Sequence, residues 1–313
     1  MGKDNVFHSR NVNFDAFQNS GKKTALGFIG APAFRQQDLD NGTNLVRDLI
    51  NKNIAILSNY FFFTTKGTYN EVIRDPTASH DGWYPHWPNL KGFRLGPGKL
   101  GGLIELSALM EKIQIVSKVL DGPIKILIVL SLPWDNEDSY PEARALRRCA
   151  IRNNVIALTT PKAVNLWLNY EAVGGKVPDN RHQETLALIS HDEMKLEMAH
   201  WVVKNSEKLK YFKRIVTTGT TGLWVKKFLT ASGIPDDMID SKYSGPEGGD
   251  VQISEEILHH KIQHVVFFID PMTPHPHEVD IQALCSICTI PKIDVNLRLT
   301  EAAASSWINA YPL

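Results

Sequence analysis

Two tandem three-layer α/β/α domains with mainly parallel sheets are what this sequence predicts. Three observations carry that reading. Short β-branched and apolar runs alternate with helix-period patterns, the rhythm of parallel strands covered by helices. Small-residue, hydroxyl-rich loops follow those strands. A set of landmarks also occurs twice, in the same order, which is how a repeat shows itself in sequence.

The landmarks pair as follows. Thr24-Ala-Leu-Gly-Phe-Ile-Gly30 matches Thr185-Leu-Ala-Leu-Ile-Ser-His191, and Thr64-Thr-Lys-Gly-Thr68 matches Thr217-Thr-Gly-Thr-Thr221. Gly96-Pro-Gly-Lys-Leu-Gly-Gly102 matches Gly245-Pro-Glu-Gly-Gly249, and the apolar run from Ile124 to Pro133 matches that from Ile262 to Pro271. This predicts a polar tail over residues 1–23, a first repeat over 24–175 and a second over 184–313, with a linker near Gly174–Asn180. Met194, Met198, Trp201 and Val202 fall at helical spacing and predict a helix from about Glu193 to Lys204. Leu223, Trp224, Phe228 and Leu229 predict another, with these side chains in the core. The stretch Arg74–Lys99, rich in Pro, His and aromatics, reads as a surface insertion in the first repeat.

Composition narrows the class. A chain of 313 residues favours two domains over one. Lys+Arg and Asp+Glu balance at 34 each, so no whole-chain charge points to nucleic acid or an acidic membrane. Three cysteines cannot build a disulfide framework, which fits a reducing, cytoplasmic setting. The N-terminal residues lack the apolar stretch of a signal peptide. The longest apolar run, Ile124–Leu132, is too short to cross a bilayer and reads as a buried strand.

The second repeat carries the chemistry. Ligands of open parallel sheets sit at the carboxyl ends of the strands. After the strand ending at Ile189 come His191, Asp192 and Lys195. After Arg214–Val216 come Thr218, Gly219, Thr220 and Thr221, a phosphate cradle of exposed N–H groups and hydroxyls at a helix N-terminus. Ser244 and Gly245 lead to Gly248-Gly249-Asp250, where glycines permit close backbone approach and Asp250 is a candidate base. Its plainer reading is a cap for a helix beginning near Ile253. The next strand delivers Asp270, and the loop beyond it holds His277 and Asp280. Cys285-Ser-Ile-Cys288 lies in an apolar helix-like run and reads as two buried thiols; no metal site is read there.

These motifs, in order and spacing, resemble methylglyoxal synthase over about residues 184–308. The resemblance implies elimination of phosphate from dihydroxyacetone phosphate, a triose phosphate, to give methylglyoxal, with inorganic phosphate as product or inhibitor. It implies no metal or organic cofactor. Asp250 would be the base at the carbon next to the carbonyl. His277 would face the carbonyl and hydroxyl oxygens, and His191 would also touch the substrate. Lys195, Thr218, Gly219, Thr220, Thr221, Ser244 and Gly245 would hold the phosphate, while Asp192, Asp270 and Asp280 would orient the network. A homo-oligomer is expected, because the single-domain family assembles as hexamers. The same fold serves as a regulatory domain in carbamoyl-phosphate synthetase, so the alternative is a noncatalytic protein that senses a phosphorylated metabolite.

One departure concerns an arginine near the family's C-terminus that reaches a neighbour's phosphate. No matching arginine follows Trp307, Arg298 is not an obvious substitute, and Arg94 is the candidate donor. The first repeat has lost the chemistry. Gly30 and Ala31 stand where His191 and Asp192 do, Leu103 replaces Asp250, Leu132 replaces Asp270 and Ser139 replaces His277. That repeat reads as noncatalytic, structural or effector-binding.

Overall fold

Thr185–Ser190 has six buried residues in a row, the pattern of a strand covered on both faces. The same continuous burial marks Ala25–Gly30 and His264–Phe268. In the computed structural model, which describes residues 14–32, 45–79, 82–115, 118–130, 141–273, 278–290 and 292–313, these become central strands.

The chain divides into two compact units, Met1–Val155 and Ile156–Leu313. In chain order the strands are β1 (Ala25–Gly30), β2 (Phe61–Thr64), β3 (Lys91–Arg94), a small antiparallel pair β4 (Ile113–Ile115) and β5 (Lys118–Leu120), β6 (Ile124–Leu130), β7 (Ile156–Leu158), β8 (Thr185–Ser190), β9 (Arg214–Thr217), β10 (Ile239–Ser241), β11 (His264–Phe268) and β12 (Asn296–Arg298). One sheet has the order β3-β2-β1-β6-β7 and the other β10-β9-β8-β11-β12. Every pair in the second sheet is parallel. The two sheets share one strand order, the pattern a tandem repeat predicts. The division between units falls just ahead of β7.

Helices connect the strands: α1 (Leu45–Leu57), α2 (Gly102–Ala108) and α3 (Pro141–Arg152), then α4 (Pro161–Leu166), α5 (Lys195–Leu209), α6 (Gly219–Ala231), α7 (Gly249–Leu258), α8 (Glu278–Cys288) and α9 (Glu301–Asn309). Residues Asp192–Met194 form a 3₁₀ turn ahead of α5, so that helix starts later and runs longer than its periodicity suggested. Met198, Trp201 and Val202 enter the core of the second unit with Phe212, Phe268, Trp307 and Tyr311. Leu223 and Trp224 do not, being 78% and 47% exposed. The buried stripe of α6 is Thr221, Gly222, Val225 and Leu229, and its helical period turns residues 223 and 224 outward. Cys285 and Cys288 are buried thiols on α8. Among the described residues no helix is long and apolar enough to cross a membrane.

A buried polar chain crosses the amino ends of β8, β11 and β12. His264 Nδ1 accepts from the Asn296 amide at 3.2 Å, so its Nε2–H donates to Glu184 at 2.9 Å. Asn296 Oδ1 accepts from Arg298 Nε at 2.7 Å, and Arg298 Nη2 meets Glu171 Oε1 at 2.6 Å. Ser306 Oγ completes the shell of Glu171 at 2.6 Å. Arg298 is wholly buried in these contacts.

Burial pushes the His264 imidazole below its ordinary value, against the pull of Glu184. Burial pushes the Glu184 carboxyl up, but the hydrogen bond and electrostatic pull of His264, with the Lys162 charge, together outweigh it and hold Glu184 below the usual carboxylate range. With the folded value lowered, the unfolded chain takes up a proton below about pH 6.5 that the folded chain refuses. Stability therefore falls as pH falls. Denaturant midpoints should drop between about pH 7 and about pH 5, and His264→Gln should flatten that slope.

Candidate functional site

Loops follow the carboxyl ends of β10, β9, β8 and β11, which are adjacent and parallel, so they meet at one sheet edge. Hydrogen bonds then join them in succession. The buried Thr221 hydroxyl donates to the Ser190 carbonyl at 3.2 Å and accepts from the Ser190 N–H at 3.2 Å. It also accepts from Thr218 Oγ1 at 3.0 Å. This fastens the end of β8 to the N-terminus of α6.

The turn after β9 lies against the turn after β10. Gly219 N–H donates to Tyr243 O at 2.8 Å. A Cβ on Gly219 would lie 3.0 Å from Lys242 O and Ser244 N, so a side chain here would press on the turn after β10. The second loop then folds back on α7: Gly249 N–H donates to Ser244 O at 2.8 Å, and Tyr243 N–H donates to Gln252 Oε1 at 3.0 Å. Gly248 makes the turn in left-handed backbone at φ +98°, where other residues are strained.

Asp250 follows within the first turn of α7, 1% exposed. The cap position is Gly248, so Asp250 does not cap a helix starting near Ile253; the helix starts four residues earlier. The N–H groups of that first turn favour a negative charge.

On the other side of β8, His191 N–H donates to Phe268 O at 3.1 Å. Its ring Nδ1 accepts the Asp270 backbone N–H at 3.0 Å. An imidazole that accepts at Nδ1 carries its proton on Nε2, so His191 is a neutral ring with Nε2–H as its donor. Phe267 packs edge-on to it, 5.3 Å between centroids. Asp270 is held in turn: Oδ1 accepts from Met272 N–H at 2.9 Å and Oδ2 from Thr273 N–H at 3.0 Å. Lys195 is buried and ion-paired with the exposed Asp192. Asp280 is half-buried in the first turn of α8. His277, with residues 274–276, lies outside the described residues, as do Leu132 and Ser139 of the first repeat.

The first unit repeats this framework without the charged and imidazole side chains at the positions of His191, Asp192 and Asp250. Thr68 Oγ1 donates to Gly30 O at 3.2 Å and accepts from Gly30 N–H at 3.1 Å, as Thr221 does with Ser190. Thr65 and Thr68 hydroxyls lie 3.4 Å apart, like those of Thr218 and Thr221. The Thr221 hydroxyl therefore braces a strand end in both copies, a role independent of any ligand.

These bonds also correct the alignment of the repeats. Ala31 N–H donates to Leu130 O at 2.7 Å as His191 does to Phe268, so Ala31, not Gly30, stands at His191 and Pro32 stands at Asp192. Gly102 N–H donates to Pro97 O at 2.9 Å as Gly249 does to Ser244, so Pro97 matches Ser244 and Gly98 matches Gly245. Leu103 falls at Asp250, as the sequence implied.

Arg298 is taken up by Glu171 and is not available to a phosphate at this edge. Sequence reading passed over Ser190 and Gln252. The signal for Ser190 was a hydroxyl residue at a strand end where the other copy has glycine; Gln252 gave none. As a test of the geometry, nitrogen chemical shifts of His191 near neutral pH should report the Nε2–H form; a dominant Nδ1–H form would contradict the Asp270 contact.

A family model described as an MGS-like domain matches residues 197–295. Methylglyoxal synthase of Treponema socranskii is 39% identical over 115 residues, covering 37% of this chain and 72% of that protein. Methylglyoxal synthase of Rhizobium rhizogenes strain K84 is 40% identical over 123 residues, covering 39% of this chain and 91% of the relative. Methylglyoxal synthase of Thermus thermophilus is 36% identical over 126 residues, with 40% and 94% coverage. A solved structure, methylglyoxal synthase from Elizabethkingia anophelis NUHP1, aligns with TM-score 0.36 and 31% identity over 41% of this chain and 78% of its own.

Proposed function

Since the chain belongs to the methylglyoxal synthase family, we propose that its second unit eliminates phosphate from dihydroxyacetone phosphate to give methylglyoxal. The observation that carries this reading is Asp250. It is a buried carboxylate in the first turn of α7, directly after a loop hydrogen-bonded to the hydroxyl-bearing N-terminus of α6, and the first unit has Leu103 in its place.

In this reading the phosphate lies against the N-terminus of α6 and the Ser244–Gly245 loop, with the Lys195 ammonium alongside. Asp250 takes a proton from C3, the carbon bearing the free hydroxyl, and a C2–C3 enediolate forms. His191 offers its Nε2–H to the oxygen that gains charge, with His277 as the second imidazole of the set. The O3 proton then leaves and C3 becomes an aldehyde. The double bond moves to C1–C2, and the C1–O bond breaks to release inorganic phosphate. The remaining enol of methylglyoxal picks up a proton at C1 and ketonises.

Binding the phosphate fixes the C1–O bond relative to the enediolate π system. Such orientation is worth several powers of ten in rate. Asp270 contributes by holding the His191 tautomer and the turn after β11.

Purified protein given dihydroxyacetone phosphate should release phosphate and a dicarbonyl product. Asp250→Asn should lower kcat by roughly 100-fold or more while phosphate still binds. Wild-type protein that binds the triose phosphate without turnover would make the second unit a binding module instead.

A further inference from the structure

Four charged side chains form a closed ring beside the loop that carries Ser244 and Gly245. Asp240 Oδ2 accepts from Arg214 Nη1 at 3.0 Å and Lys242 Nζ at 2.8 Å. Glu256 Oε1 accepts from Lys242 Nζ at 2.6 Å, and its other oxygen meets Arg214 Nη2. The ring joins β9, β10 and α7, with side chains 14% to 36% exposed.

Lys242–Glu256 is also one rung of a short ladder. The chain runs through Lys242, Tyr243 and Ser244, while α7 answers with Glu256, Gln252 and Gly249. Spacings of three and four residues put those helix positions on one face. The ladder thus sets how the loop carrying Ser244 and Gly245 stands against the helix carrying Asp250.

The first unit shows what this ladder needs in order to fold. Its two backbone rungs are kept: Gly96 N–H donates to Glu105 Oε2 at 2.8 Å, matching Tyr243 and Gln252, and Gly102 N–H donates to Pro97 O. Leu95 N–H donates to Thr64 O at 2.8 Å as Lys242 N–H does to Thr217 O at 2.8 Å, which fixes the correspondence. On that register, Arg214, Asp240, Lys242 and Glu256 correspond to Phe61, Phe93, Leu95 and Leu109. All four charges become apolar, and Phe61, Leu95 and Leu109 are buried.

An apolar set therefore suffices to build this part of the fold. Replacing a partly buried ion pair by well-packed apolar residues is often neutral or stabilising, because desolvation and screening offset much of the attraction. We propose that the ring is a positioning device, charged for function and not for stability, with Lys242 and Glu256 fixing the Ser244–Gly245 loop against the Asp250 helix. Directional charged hydrogen bonds hold one geometry, whereas two leucines tolerate sliding. This inference rests on the proposed lyase site for its substrate.

The test installs the first unit's residues: Lys242→Leu with Glu256→Leu, which leaves the Arg214–Asp240 pair intact. The thermal midpoint should match or exceed that of wild type. kcat/KM on dihydroxyacetone phosphate should fall about 10- to 100-fold, and inorganic phosphate should bind several-fold more weakly by calorimetry. Wild-type kcat, KM and phosphate affinity in a folded double variant would overturn the proposal. If the double variant fails to fold, that also overturns it, because the ring is then needed for stability. Glu256→Gln, which keeps shape and removes charge, should lose several-fold in phosphate affinity; no change would overturn the proposal. Wild-type protein without turnover would sink the lyase reading alone, and phosphate affinity in the same variants would still decide the ring.

Discussion

The hydroxyl of Thr221 bonds both the N–H and the C=O of Ser190, and the rest of the site depends on that brace. A parallel sheet ends in carbonyls and N–H groups that no further strand residue can pair. At the end of β8 one side chain from the helix after β9 satisfies both. The central strand and the N-terminus of α6 then hold a fixed relation, and neighbouring loops attach to it in order: Gly219 to Tyr243, Ser244 to Gly249, His191 to Asp270. The first unit makes the same brace from Thr68 and Gly30.

Two copies of one framework separate structural demand from chemical demand. What both copies keep is the threonine pair, the left-handed glycine at φ +98° or +100°, and the backbone bonds between loops. What the second copy alone has is His191, Asp192, Asp250, Asp270 and the charged ring of Arg214, Asp240, Lys242 and Glu256. A buried carboxylate and a buried neutral histidine cost desolvation, and framework stability gives no reason for either. The comparison thus directs attention to chemistry at the edge of the second sheet. It also withdraws Thr221 from the residues whose side chain is explained by ligand binding alone.

Much of this was legible in the sequence because parallel α/β folds write themselves in short apolar runs and glycine turns. The strand at Thr185–Ser190 and the turn at Gly248-Gly249 were readable that way, and so was the match of Leu103 to Asp250. Leu223 and Trp224 were misread as core because helix periodicity gives a stripe but not which stripe faces the sheet. Sequence pairs Gly30 with His191 because two short apolar strands align equally well in either register; the bonds to Leu130 and Phe268 fix the pairing one residue on. The ring of four charges was illegible, since its members are scattered over 43 positions from Arg214 to Glu256 and none belongs to a motif.

The central claim is that a carboxylate in the second unit removes a carbon-bound proton before phosphate leaves. The most direct measurement follows dihydroxyacetone phosphate deuterated at C3. Loss of the label to solvent, in step with phosphate release and with a slower rate than the unlabelled compound, is the predicted result. Tight phosphate binding with the label fully retained and no phosphate formed would contradict it.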